Sequence, residues 1–160
     1  MLSRRHIRLK VMQSLYSYLS TKANEMPIAE RAMLKHFNEV VELKLVIVAL
    51  LVEIVKYADN FYEQGKKKHI PTKEDLNPNR RFVDNAIINS IFGDKILMNK
   101  VSKVSGIWLK NDHDIIRKLF IELLNSDTYT KYIDSNNTSI DCDKKFIIDI
   151  MNDFVLKNEL

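Results

Sequence analysis

Residues 40–67 read VVELKLVIVALLVEIVKYADNFYEQGKK, and this stretch decides the fold class. From Leu45 to Val52 every side chain is apolar, as in an element buried on all sides. Alone, that window with its β-branched residues suits a central strand as well as a helix. The continuation separates the two. Glu53, Lys56, Asp59, Asn60 and Glu63 follow a helical rhythm and not an alternating one. The pattern predicts a helix from about Val40 to Lys67, ended by Gly65 and the lysines at 66, 67 and 68. The apolar run itself stops at Glu53 and follows Lys44, so it is far too short to cross a bilayer.

Working outward, the chain has only 3 Gly and 3 Pro in 160 residues. Sheets need frequent turn chemistry and helices need little, so this scarcity points the same way. A first helix is predicted from about Ser3 to Ser20, with Ser3 as N-cap and Ile7, Val11, Leu15 and Tyr18 on one face, widened by Met12 and Leu19. Asn24 and Pro27 punctuate, and a second helix starts near Pro27 carrying Ile28, Met33, Leu34 and Phe37. After the long helix, His69 to Asn79 reads as a loop through Pro71 and Asn77-Pro78. Shorter helices are expected at about 81–92, 95–103, 114–125 and 143–156, with Asp112 or Asp114 and Asp141 as N-caps and Ser135 to Ser139 as a polar connector. The expected fold is all-α, a helical bundle or orthogonal helix array. The organisation reads as residues 1–68, a loop at 69–80, and a further helical region at 81–160.

Charge is unevenly placed. The formal net charge is +4, yet Arg4, Arg5, Arg8, Lys10 and Lys22 precede the first acid, Glu25. From Asn111 onward the acids outnumber the cations. A basic front and an acidic back suggest a polyanion partner at one end. The same basic, acid-free opening also has the composition of a mitochondrial transit peptide. The closing Lys157-Asn158-Glu159-Leu160 is close to an ER-retrieval tetrapeptide, but no apolar signal region stands near the start, so it reads as coincidence or as the cut end of a longer chain. Cys142 is the only cysteine, which fits a reducing, cytoplasmic setting.

Catalytic chemistry finds little support. His6, His36, His69 and His113 share no metal-ligand spacing, and Asp141-Cys142-Asp143 offers too few ligands from one short segment. Ser139 and Cys142 have no nearby histidine to act as base, and no Gly-rich phosphate loop occurs. No enzyme activity, cofactor or metal is expected. Trp108 reads as a packing anchor, and the basic residues from Lys66 to Lys68 with Lys73, Arg80 and Arg81 as a solvated helix end more than a phosphate patch.

The informative segment is the first helix. At 100° per residue, Arg4, Arg5 and Arg8 fall within a sector of about 100°, on the side of Val11 and Leu15. Arginines cannot continue a dry core face, so they must be presented together to solvent or to a ligand. Their planar guanidinium groups bind phosphate and stack on bases. Tyr16 lies nearly in line with Arg5 and is a candidate for stacking a base; Lys10 adds a further cation. The alternative for the same residues is a solvated basic helix end with Tyr16 half-buried at its boundary.

The run Arg4-Arg5-His6-Ile7-Arg8-Leu9-Lys10-Val11-Met12-Gln13-Ser14-Leu15-Tyr16 resembles the opening of the NusB transcription antitermination family. Arg4, Arg5 and Arg8 match the family's arginines, and Gln13, Leu15 and Tyr16 its Gln-x-Leu-Tyr; His6 and Ile7 depart from the usual Arg and Ala. Asp75 to Asn79 followed by Phe82 to Asn85 resembles the inserted helices of long-form members. The family's C-terminal half is not recognisable before Leu160. The resemblance implies binding of boxA-type single-stranded RNA of ribosomal leader transcripts and, where the family's C-terminal half is present, of the ribosomal protein NusE within the RNA polymerase complex. It also implies a possible homodimer and no membrane. RNA contacts would fall on Arg4, Arg5, Arg8 and Lys10, with Tyr16 stacking. A rival expectation is a helical protein–protein scaffold whose basic helix docks on an acidic partner without binding RNA itself.

Overall fold

A computed structural model describes residues 3–20, 26–109, 114–135 and 137–155, and among them the chain is all-α, without a strand. Lys22, Asn24, Asp112, His113 and Lys157 to Leu160, named above for charge, punctuation, capping or targeting, lie outside the described residues. The chain divides into two compact units, Met1–Leu45 and Val46–Leu160. The division falls within a helix and not at the break near residue 68, because a loop signal marks where a helix stops, while packing marks where a unit begins.

Helix α1 spans Arg4–Ser20. Ser3 caps it as predicted: the His6 amide donates to Ser3 Oγ at 3.3 Å, and the Ile7 amide to the Ser3 carbonyl at 3.1 Å. Helix α2 runs without interruption over Met26–Lys66, so the two helices expected on either side of Asn38-Glu39 are one. Neither Gly nor Pro stands between them, and propagating a helix costs less than nucleating a new one.

The predicted loop at 69–80 holds a short helix, α3 (Lys73–Leu76), which its own termini create. The Asp75 amide donates to Thr72 Oγ1 at 3.1 Å, and the Thr72 amide returns to Asp75 Oδ2 at 3.0 Å, a reciprocal capping box. A Cβ on Gly65 would meet Asp75 Oδ1 at 3.0 Å, so the glycine lets this turn seat against the end of α2.

Helices α4 (Ala86–Gly93), α5 (Lys95–Leu109), α6 (Asp114–Leu124), α7 (Asp127–Asp134) and α8 (Ile140–Ile150) follow, and a π-helical turn continues over Met151–Val155. Several features differ from expectation, and α5 runs six residues past its expected end at Lys103. Residues 81–84 form a turn before α4, whose cap is Asn85. Helix α7 was not anticipated, although Ser126 caps it and Tyr129, Tyr132 and Ile133 recur at helical spacing. Ser139, not Asp141, caps α8, with its hydroxyl accepting from the Cys142 amide at 3.3 Å.

The second unit owns the core. Leu50, Leu51, Ile54, Val55, Ala58 and Tyr62 of α2 pack with Phe82, Ile88, Phe120, Leu123 and Phe146. Tyr132 lies flat on Phe146, with centroids 3.7 Å apart, and Phe82 meets Tyr129 and Phe146 edge-on. Trp108 anchors α5 by donating from Nε1 to the Val46 carbonyl at 2.9 Å. Among the described residues no helix is long and apolar enough to cross a membrane.

The first unit differs in kind. Helix α1 contains no buried residue, and burial along α2 starts only at Ala49, beyond this unit. Half-buried positions include Lys10, Val11, Ser14 and Tyr18 on α1 and Ala29, Met33, Phe37 and Val40 on α2, mostly at three- and four-residue steps. Met12, Leu15, Leu19, Met26, Ile28 and Leu34 are exposed. This helical hairpin is a presented surface more than a core.

Candidate nucleic-acid interface

Three cations at the start of α1 are placed by the helix itself. Because Arg4 to Arg8 is already helical, the three guanidinium stems project from two consecutive turns and do not trail from a random coil. All three are exposed, and among the described residues none makes an ion pair. Tyr16 follows Arg5 by eleven residues, which places it on nearly the same face and about 16 Å along the axis. Tyr16 is 75% exposed, so the half-buried boundary reading does not hold. Met12, Leu15 and Leu19 share that side and are also exposed. The stripe is therefore mixed, with cations at one end and apolar and aromatic surface at the other.

Lys10 does not join it. Two residues beyond Arg8, it stands roughly 160° round the helix, half-buried on the side that faces α2. There it shares a cavity of about 340 Å³ with Gln13, Ser14, Ser17 and His36. Nearby, His36 Nδ1 donates to Glu39 Oε2 at 3.0 Å, and Lys35 stands 3.9 Å from the same carboxylate. The His36 hydrogen bond, with the charges of Lys35 and Lys10, holds the Glu39 carboxyl below its ordinary value.

The other arginines show what structural use looks like in this chain. Arg80 donates to Asp59 Oδ1 at 2.6 Å and reaches Glu63 at 3.4 Å and Asp84 at 4.0 Å. Arg81 lies over the Tyr132 ring at 4.3 Å and donates to the carbonyls of Tyr132, Ser135 and Asn137. Lys66 pairs with Glu63 at 2.9 Å and Lys68 with Asp75 at 2.7 Å. Little of the basic cluster around residues 66–81 is left over for a ligand.

The charge balance follows the same line. Residues 1–45 hold eight Lys and Arg against four Glu, so the whole formal excess of +4 sits in the first unit and the second is formally neutral. Within the acidic triplet around Cys142, Asp143 is taken up by the core. Asp143 is buried, accepting the Tyr132 hydroxyl at 2.7 Å and the Ala86 amide at 2.9 Å. Sequence reasoning missed this anchor, since its partners lie eleven and fifty-seven residues away. Comparison with protein-family models, with curated proteins and with solved structures gives no match.

Proposed function

We propose that this protein binds single-stranded RNA through α1, as a NusB-like antitermination factor acting on boxA-type leader RNA. One observation carries the reading: Arg4, Arg5 and Arg8 are solvent-exposed side by side with no carboxylate partner among the described residues, in the unit that holds all the excess positive charge. An RNA strand laid along the stripe meets phosphate-binding forks first and a stacking surface at Tyr16 beyond them. The resemblance of residues 4–16 to the NusB opening supplies the class of RNA and the partners, NusE and polymerase. The reading assigns no catalytic residue and no cofactor, and it places the protein in the cytoplasm.

The exposed apolar residues of the hairpin favour a second reading, a protein-docking scaffold whose basic helix meets an acidic partner. Titration into fluorescent boxA-like RNA and a scrambled control, at several salt concentrations, separates the two. RNA binding requires a preference for boxA and its collapse in the Arg4→Ala/Arg5→Ala/Arg8→Ala variant. Indifference to both RNAs, with a stable complex formed with a protein partner, would establish the scaffold instead.

A further inference from the structure

The face of α1 turned away from the arginines carries a different feature. The cavity that holds Lys10 has a mixed wall, in which Gln13, Ser14 and His36 stand beside the larger apolar surfaces of Tyr18 and Ile28. Ala29 and Ala32 leave it open because neither has an atom beyond Cβ. Two packed helices ordinarily fill such space with Leu or Ile at crystal-like density. Here α2 supplies small residues at two positions, and α1 supplies Lys10, Gln13 and Ser14 across from them.

We propose that this cavity is a phosphate-binding notch, and that its occupant is a backbone phosphate of the RNA strand; the assignment to RNA rests on the reading above. A phosphodiester offers acceptors alone, and three kinds of donor line the space: the Lys10 ammonium, the Gln13 amide and the Ser14 hydroxyl. His36 donates through Nδ1 to Glu39, so its ring marks the edge of the space as a reporter and is not counted among the donors. Glu39 is not an open repulsive charge, because His36 and Lys35 both engage it. Volume fits as well: about 340 Å³ accommodates a phosphate with part of its sugar. A strand that uses both the notch and the arginines passes around α1, a path set by a helix about 10–12 Å across with its side chains.

The test is an NMR titration of the whole chain, following the His36 ring and the Gln13 side-chain amide. Inorganic phosphate is added first, then a short boxA-like RNA, to wild type, to Lys10→Gln and to the Arg4→Ala/Arg5→Ala/Arg8→Ala variant. Phosphate is expected to shift both signals in wild type and in the arginine variant, and to bind at least about tenfold more weakly in Lys10→Gln. Unchanged circular dichroism and melting of Lys10→Gln show that the loss is local. RNA is expected to move the same signals in wild type. If phosphate moves them and RNA does not, the notch takes a free phosphate ester and its assignment to RNA is overturned. If phosphate leaves both signals unmoved, the notch itself is overturned, while RNA binding through the arginines stands or falls on its own titration.

Discussion

The Tyr132 hydroxyl donates to Asp143 Oδ1 across 2.7 Å, joining α7 to α8 inside the second unit. The other oxygen of Asp143 accepts the Ala86 amide, so a single carboxylate ties three helices at one point. Asn85 closes the group, donating from Nδ2 to the Tyr132 hydroxyl at 3.1 Å and to the Asp143 carbonyl at 3.3 Å. Removing the carboxylate leaves the Tyr132 hydroxyl only the more distant Arg81 carbonyl at 3.4 Å and takes the acceptor from the Ala86 amide. Asp143→Ala is expected to lower unfolding free energy by about 2–4 kcal/mol, read by urea denaturation with Trp108 fluorescence. A loss under about 0.5 kcal/mol would mean that water replaces the carboxylate.

Alkaline pH acts on the same core. Burial, followed by the hydrogen bond to Asp143, pushes the Tyr132 hydroxyl up to about 12, and burial raises Tyr62 and Tyr129 as well. Each phenol keeps its proton in the folded state at a pH where the unfolded chain has lost it. Stability should therefore be insensitive to these groups below pH of about 10 and fall between about 10 and 12. Melting temperature against pH checks this, and Tyr132→Phe should make the fall shallower.

Arg81 distinguishes charge from shape. Its guanidinium stacks on Tyr132 and donates to backbone carbonyls of Tyr132, Ser135 and Asn137, which a lysine's single ammonium cannot serve together. Arg81→Lys keeps the charge but is expected to lose about 2 kcal/mol of stability, leaving RNA affinity unchanged.

The two units should differ in opening. Amides of α1 pack under no buried side chain, while Ala49 to Val55 are buried at every position. Hydrogen exchange should be faster in α1 by at least about two orders of magnitude. Equal protection would show that α1 is covered by a contact absent here, such as a second copy.

Salt dependence reports the arginines. Three lost phosphate contacts on single-stranded RNA should reduce the slope of log affinity against log salt by about 2 in the Arg4→Ala/Arg5→Ala/Arg8→Ala variant. Tyr16→Ala should weaken binding by about 1–3 kcal/mol with the slope unchanged.

The helical class, the N-terminal cap at Ser3, the buried run after Leu45 and the arginine sector follow from residue order, because each depends on neighbours within one or two turns. α3 and α7 also carry local signals, in Thr72 with Asp75 and in Ser126 with Tyr129 and Tyr132, but each is short and adjoins a polar stretch. Tertiary structure decided the rest. Arg4 and Arg81 are the same residue type in similarly basic runs, yet one is exposed and the other is held by carbonyls fifty-one to fifty-six residues away. The separation of Lys10 from the arginines, the burial of Asp143 and the cavity beside His36 likewise depend on which surface a second helix covers. Periodicity states which residues share a face, and only packing between segments distant in sequence states what that face meets.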